Sequence, residues 1–249
     1  MFDYQHLQLR YEPFPIGLAR PLMDPSLYEA LLDAYPAVDR FAQLDRHLKY
    51  SLSEKNHGRA YRQFVRANPI WREFHHWVKS RQFVRELVDV LLEQGIDLGY
   101  QRLPTRGSQT LLGLANLLRG RIDAGRPPLS ARFEFSMLPA QGGFVIPHSD
   151  APAKRITLVI SMVREGEWDP AWGGGTEVSR PKDPRRNYNE LNAKAEWDEV
   201  EPLETYAFEP NQAVLFIKTF NSWHCVRPMT GPADAPMRRT LTINVETAR

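Results

Sequence analysis

Hydrophobic residues follow helical spacing in the first half of the chain. Between residues 25 and 35 the apolar side chains recur every three or four positions, which predicts an amphipathic helix that Asp24 can cap. The same spacing predicts a helix over residues 69–78 and another over residues 81–94, which Ser80 can cap. We therefore expect the N-terminal half to be mainly helical.

The pattern changes around residue 128. The stretch LLGLANLL at residues 111–118 favours one more short helix, and Arg126-Pro127-Pro128 ends it. Beyond this break, alternating and β-branched residues predict short strands between glycine and proline turns. These predicted strands cover residues 131–138, 155–163, 205–208, 213–218, 224–227 and 239–245. Short strands joined in this way favour an antiparallel sandwich or barrel over a parallel sheet with crossover helices.

Composition sets limits on the class of protein. The chain has 249 residues, of which 42% are hydrophobic and 25% charged, as expected for a folded soluble protein. No run of about 18 apolar residues predicts a membrane span, and the N-terminus lacks the features of a secretory signal. The single cysteine, Cys225, excludes an internal disulfide, so we expect a cytoplasmic protein. A net charge of +2 argues against nucleic acid as a partner.

The candidate chemistry begins at His148-Ser149-Asp150, just before the strongest predicted strand. Alternate residues of an extended chain point the same way, so the imidazole of His148 and the carboxylate of Asp150 converge. This pattern arises often by chance, and a loop histidine bonded to an aspartate would also explain it.

His224 supplies a possible third ligand. It begins a predicted strand, and His148 and His224 are the two histidines of the second half. Two imidazoles and one carboxylate form the facial triad of non-haem iron(II) oxygenases, which leaves coordination positions open. Arg238 and Arg239 enter the last predicted strand, where a guanidinium could bind a carboxylate through two hydrogen bonds.

Four motifs occur in a characteristic order: His148-Ser149-Asp150, then Trp172 to Thr176 (WGGGT), then His224 to Pro228 (HCVRP), then Arg238-Arg239-Thr240. In this order they resemble the 2-oxoglutarate- and iron(II)-dependent dioxygenases, in particular the prolyl-hydroxylase-like branch. The resemblance covers about residues 131–245. The opening stretch, residues 14–36, also resembles the strand-then-helix start of that branch.

The resemblance implies an α+β fold with a double-stranded β-helix (jelly-roll) core and N-terminal helices packed outside it. One domain would span residues 1–249, with helical support in 1–130 and the catalytic core in 131–249. His148, Asp150 and His224 would bind the metal.

The resemblance also assigns the cosubstrate site. Arg238 and Thr240, which alternation places on one face, would bind 2-oxoglutarate, and Arg239 would face the other way. Many family members carry a tyrosine near the position of Leu138, so Ser136 or Thr157 would take over as the second cosubstrate anchor here.

The implied activity is hydroxylation of an unactivated C–H bond with Fe(II), 2-oxoglutarate and O2, releasing succinate and CO2. The partner would be a small molecule or an amino-acid side chain, and no residue identifies it. Two alternatives stay open at this point. One is a cupin-like jelly roll that binds a metal or ligand without catalysis, and the other is a hydrolytic zinc site built from the same three residues.

The polar segment 179–202 is long for a loop in a compact domain. It carries Arg180, Lys182, Arg185 and Arg186, which could attract an anionic substrate and close over it. The alternative is a mobile surface loop with solvated charges.

Overall fold

The computed structural model describes residues 1–44, 49–100, 111, 128–189 and 191–247. Within these ranges lie four helices: α1 (Pro25–Asp33), α2 (Gly58–Ala67), α3 (Pro69–Val78) and α4 (Arg81–Glu93). The strands of the same ranges are β1 (Gln8–Arg10), β2 (Ile16–Ala19), β3 (Ala42–Leu44), β4 (Lys49–Ser53), β5 (Leu129–Leu138), β6 (Val145–Ser149), β7 (Lys154–Ser161), β8 (Thr176–Pro181), β9 (Val200–Tyr206), β10 (Ala213–Ile217), β11 (Trp223–Val226) and β12 (Arg238–Thr247).

Three helices begin with a side-chain cap, and the sequence predicts two of these caps, Asp24 and Ser80. The side chain of Asp24 accepts the backbone N–H groups of Ser26 and Leu27 at the start of α1. Asn68 caps α3 through Trp71, and Ser80 caps α4 in the same way. A cap satisfies donors that the first helical turn leaves unpaired, so these helices start where the sequence predicts.

The strands form two antiparallel sheets, of eight and four strands. The large sheet has the order β1-β2-β10-β7-β12-β5-β4-β3, and the small sheet has the order β6-β11-β8-β9. The strand β2 followed by α1 matches the expected strand-then-helix start. The first half also supplies β1, β3 and β4, which the helical spacing did not predict, and these strands lie at the two edges of the large sheet.

The large sheet separates an apolar side from a polar side. Along β7 the side chains of Ile156, Leu158 and Ile160 pack with the helices in the main hydrophobic core. The alternate residues of its central strands face the small sheet, and many of them are polar and buried. These buried polar residues are Ser136, Thr157, Arg238, Thr240 and Asn244. The strand alternation therefore places a water-poor, hydrogen-bonding surface between the two sheets.

Two predictions about local structure have different outcomes. His148-Ser149-Asp150 is expected in a loop before the strongest predicted strand, but His148 and Ser149 belong to β6 and only Asp150 lies outside it. The predicted helix at 111–118 lies outside the described residues, apart from Leu111. Within the described part of the chain, no helix is both long and apolar enough to cross a membrane.

Candidate metal and cosubstrate site

The three residues predicted as metal ligands meet at the small sheet. His148 lies in β6, Asp150 directly follows that strand, and His224 lies in the neighbouring strand β11. The potential ligand atoms of the three side chains all lie within 4.8 Å of one another. Asp150 and His224 are buried, and His148 keeps about a fifth of its side chain exposed (21%). Three donors on one side of a cavity can hold one divalent ion.

Backbone carbonyls fix the orientation of both imidazoles. The Nδ1 atom of His148 lies 2.9 Å from the carbonyl oxygen of Ile146, and Nδ1 of His224 lies 3.0 Å from that of Ser222. Because a carbonyl oxygen only accepts, each Nδ1 must carry the proton and donate. Each Nε2 is then left with a free lone pair, which is the state that a metal ligand requires.

The electrostatic environment favours neutral imidazoles beside an ionised carboxylate. Burial, together with the charge of His224, lowers the pKa of His148 to about 3, and burial also lowers the pKa of His224. Burial by itself would raise the pKa of Asp150, but Lys154 and the two histidines outweigh it and hold that pKa well below its usual value. At neutral pH the group therefore offers two neutral nitrogens and one carboxylate.

Two further side chains hold the carboxylate of Asp150. The Nζ atom of Lys154 donates to Oδ1 at 2.6 Å, and the hydroxyl of Thr157 donates to Oδ2 at 3.0 Å. Both residues belong to β7 of the large sheet, so Asp150 connects the two sheets. Carboxylate ligands are commonly oriented in this way by residues that do not touch the metal.

A cavity of about 120 Å³ lies beside this group, and Arg238 lines it. The side chain of Arg238 is buried, its Nε donates to the carbonyl oxygen of Gly174, and its guanidinium lies 4.7 Å from the ring centre of Phe208. No ion pair joins Arg238 to a carboxylate of the described residues. Burial lowers its pKa to about 10, so the guanidinium is charged at neutral pH.

The two neighbouring arginines point to opposite faces of β12, as alternation predicts. Arg238, Thr240 and Thr242 line the cavity. Arg239 instead donates to both carboxylate oxygens of Glu167, each at 2.6 Å. A charge that already has a partner is not available to a ligand, so Arg238 is the arginine that could bind a carboxylate in this cavity.

The structure distinguishes between the two candidates for the second anchor. Leu138 lies opposite Arg238 in the β5–β12 pair and lines the cavity. Ser136 lies opposite Thr240, and their hydroxyl oxygens are 2.8 Å apart. Thr157 is bonded to Asp150, on the metal side. Both candidates line the cavity, but Ser136 pairs with Thr240 near Arg238, whereas the hydroxyl of Thr157 is bonded to Asp150.

The polar segment between β8 and β9 is attached to β6. The hydroxyl of Ser149, the residue between the two ligands, donates to Leu191 and accepts from the backbone N–H of Ala193. Backbone bonds from Ser149 to Ala193 and from Ala195 to Pro147 extend this contact. The segment thus lies against the outer edge of the strand that carries His148.

The arginines of this segment have partners within the chain. Arg180 pairs with Glu201, and Arg185 with Asp183. Arg186 pairs with Glu199 at 2.6 Å and also donates to the carbonyl oxygen of Lys194. These pairs satisfy three of the four charges that the sequence suggested for an anionic substrate, and no ion pair involves the fourth, Lys182, among the described residues.

The sequence pattern missed Lys154, which lies four residues after Asp150. It also missed Lys49, which lines the cavity from β4, next to the edge strand β3, and pairs with Glu134 at 2.8 Å. The spacing of Lys154 could have been noticed, since a cation so close to a proposed ligand has chemical consequences. Lys49 gives no local signal, because its position depends on the pairing of distant strands.

Neither a protein-family model nor a curated protein matches the sequence. Several solved structures are similar in fold. A prolyl-4-hydroxylase from Pseudomonas putida is 15% identical, with 94% of this chain and 92% of that chain covered and a TM-score of 0.44. The non-haem α-ketoglutarate-dependent epimerase SnoN of nogalamycin biosynthesis is 12% identical, with 94% and 76% covered and a TM-score of 0.49. HygX from Streptomyces hygroscopicus, solved with nickel, 2-oxoglutarate and hygromycin B bound, is 8% identical, with 94% and 83% covered and a TM-score of 0.47.

Proposed function

We propose that this chain is an iron(II)- and 2-oxoglutarate-dependent oxygenase of the prolyl-hydroxylase-like branch. It would hydroxylate an unactivated C–H bond of a small molecule or side chain and release succinate and CO2. The two facing sheets would form its double-stranded β-helix, with residues 131–249 as the catalytic core and 1–130 as support within one domain. The observation that carries the proposal is a His-Asp-His group that shares one cavity with a buried arginine lacking a carboxylate partner among the described residues.

The His-Asp-His group fits iron(II). His148 and His224 would bind through Nε2, since their Nδ1 atoms already donate to backbone carbonyls. Asp150 would bind through a carboxylate oxygen while Thr157 and Lys154 keep the side chain in place. Iron(II) held by three protein ligands keeps positions open for 2-oxoglutarate and dioxygen and supplies the oxidative chemistry.

Arg238 fits the distal carboxylate of 2-oxoglutarate. A buried cation without an anion is costly, and a dicarboxylate entering the cavity would provide the missing charge. The hydroxyls of Ser136 and Thr240 share one hydrogen bond, so one of the two could donate to the same carboxylate. The guanidinium is held in place by Gly174 and by the ring of Phe208, so little side-chain entropy is lost on binding.

Part of the cavity wall is apolar. Leu138, Val159 and Phe216 line it alongside the proposed ligands. The ring centre of Phe216 lies 4.4 Å from that of His224, so an aromatic side chain shields one side of the metal group from water. Such a wall would protect a reactive centre from solvent and hold the substrate C–H bond in position.

A hydrolytic zinc site or a non-catalytic cupin would need the three ligands but not Arg238. The discriminating experiment is to load the protein anaerobically with Fe(II), measure 2-oxoglutarate binding by calorimetry, and then admit oxygen and measure succinate. The proposal expects metal-dependent binding of 2-oxoglutarate and slow succinate formation without substrate. Metal binding without any affinity for 2-oxoglutarate would contradict it.

A further inference from the structure

Two cations continue the inner face of the large sheet beyond the proposed metal group. In the β7–β10 pair, Thr157 lies opposite Phe216, and both side chains line the cavity. Arg155 lies two residues before Thr157, and Lys218 lies two residues after Phe216. The backbone N–H of Lys218 donates to the carbonyl oxygen of Arg155 at 3.0 Å. Because Lys218 follows Phe216 by two residues, alternation places its side chain on the same side as the cavity residues. Arg155 lies at a register shift of β7, and its side chain lines the same cleft as Lys218.

Neither cation has an acidic partner. In the described part of the chain, no ion pair involves Arg155 or Lys218. The Nζ atom of Lys218 is buried and has no hydrogen-bond partner there. A buried ammonium without an acceptor loses its hydration with no compensating bond, which costs free energy unless a ligand supplies the acceptor.

The two cations line a cleft of about 350 Å³ together with Pro152, Thr219 and Phe220. This volume lies within the range of small-molecule sites. Phe220 is half exposed (50%), so the cleft offers an aromatic surface beside the two positive charges. This combination suits a small molecule that carries an anionic group and an apolar part.

The cleft is close to the proposed metal group. Pro152 lies two residues after Asp150 in the chain. Lys218 lies two residues after Phe216, whose ring centre is 4.4 Å from that of His224. Arg155 lies two residues before Thr157, which donates to Asp150. A molecule held in the cleft would therefore lie beside the site where the C–H bond must be positioned.

We propose that Arg155 and Lys218 bind an anionic group of the substrate, a carboxylate or a phosphate, and so orient the substrate toward the metal. This inference rests on the proposed function and extends it to the chemical class of substrate. Arg155 on β7 and Lys218 just after β10 would thus select an acidic substrate. Arg185 and Arg186, in the polar segment between β8 and β9, are already paired.

The test uses phenyl phosphate and benzoate as anionic probes and phenol as the neutral control. Binding to the protein loaded with Ni²⁺ and saturated with 2-oxoglutarate is measured by calorimetry. Saturation with 2-oxoglutarate keeps the probes away from Arg238. We expect at least one of the two anions to bind much more tightly than phenol and to weaken as salt rises, because a charge–charge contact is screened. The probe that binds more tightly, phenyl phosphate or benzoate, shows whether the site prefers a phosphate or a carboxylate group.

The variants are Arg155→Met and Lys218→Met, with Arg72→Met as the matched control. Arg72 lies on α3 and donates to the backbone of Arg66, far along the chain from both cations. Loss of one charge-assisted bond is expected to weaken binding of the anionic probe by about tenfold or more. Arg72→Met is expected to bind as the wild type does, and circular dichroism checks that all three variants fold.

The outcomes separate this inference from the proposed function. If 2-oxoglutarate binds but both variants keep wild-type affinity for the anionic probes, or if no anion binds better than phenol, the anion site is wrong and the oxygenase proposal stands. If the metal-loaded wild type does not bind 2-oxoglutarate, the titrations are repeated without it. The absence of 2-oxoglutarate binding contradicts the oxygenase proposal. A probe affinity that still depends on Arg155 and Lys218 supports the anion site independently of that proposal.

Discussion

His148 and His224 lie directly opposite each other on the adjacent strands β6 and β11, with their ring centres 4.3 Å apart. Cross-strand partners on one face are the closest side-chain neighbours that a sheet provides. A shift of one residue in this pairing would turn one imidazole to the other face. The strand register therefore determines whether two of the proposed ligands can share an ion.

Substitution of His148 or His224 by Ala should abolish binding of one Fe(II) or Ni²⁺ ion per chain. The remaining two donors do not hold the ion firmly, and removal of an imidazole leaves the strand pairing intact. Calorimetric titration with Ni²⁺ measures the loss, and thermal unfolding of the metal-free variants checks the fold. Substitution of His75, which lies on the outer helix α3, is the control and should retain binding. Full-affinity metal binding by either variant would falsify the ligand assignment.

Arg238→Met should weaken 2-oxoglutarate binding by about 2–5 kcal/mol, the usual cost of removing one member of a buried, hydrogen-bonded charge pair. Arg239→Met is the matched control, because this neighbour faces Glu167 instead of the cavity. Its effect on the dissociation constant of 2-oxoglutarate should be small. Equal losses in the two variants would show that Arg238 is not the residue that binds the distal carboxylate.

Ser149→Ala should loosen the segment between β8 and β9. The hydroxyl of Ser149 is fully buried and bonds to Leu191 and Ala193, so its removal is expected to cost about 1 kcal/mol. Hydrogen exchange of the backbone amides at residues 191–195 should become faster. Metal affinity should fall far less than in Asp150→Ala, since Ser149 is not a proposed ligand. Unchanged exchange would mean that the backbone bonds alone hold the segment.

Lys49→Met should destabilise the fold at neutral pH. Burial by itself raises the pKa of Glu134, but the charges of Lys49 and Arg132 outweigh it, so the pKa lies below its usual value of 4.5. The pair thus stabilises the fold above about pH 4.5, and the contribution is lost as the pH falls and Glu134 becomes protonated. Removal of Lys49 is expected to lower the free energy of unfolding by about 1–3 kcal/mol at pH 7.

Urea denaturation at pH 7 and at pH 3 checks this prediction. The difference between wild type and Lys49→Met should be smaller at the lower pH, because the contribution of the pair is lost as Glu134 takes up a proton. Lys79→Met is the control, because Lys79 pairs with Glu54, whose side chain is 37% exposed, and surface pairs contribute little. An identical loss at both pH values would indicate that Lys49 acts through packing alone.

Local sequence determined the parts of this protein that depend on neighbouring residues. Caps and helical spacing placed α1, α3 and α4, because the first turn of a helix is satisfied by side chains a few positions away. Alternation placed β12 and the opposite orientations of Arg238 and Arg239 for the same reason. The strands β1, β3 and β4 were not predicted, since segments of three to five residues carry little periodic signal. The helix α2 was not predicted either, although its buried residues Tyr61 and Val65 recur at helical spacing.

Only the tertiary structure decided which distant residues meet. His148 faces His224 because β6 pairs with β11. Arg238 lacks a carboxylate partner among the described residues because the side chains around it in the cavity come from distant strands of the two sheets. The sequence suggested that Arg185 and Arg186 of the polar segment 179–202 could attract an anionic substrate. It gave no such indication for Arg155 or Lys218. Charge pairing depends on contacts between residues far apart in the chain, and a local pattern does not contain them. Folding therefore left two cations without an ion pair among the described residues beside the proposed metal group: Arg155 on β7 and Lys218 just after β10.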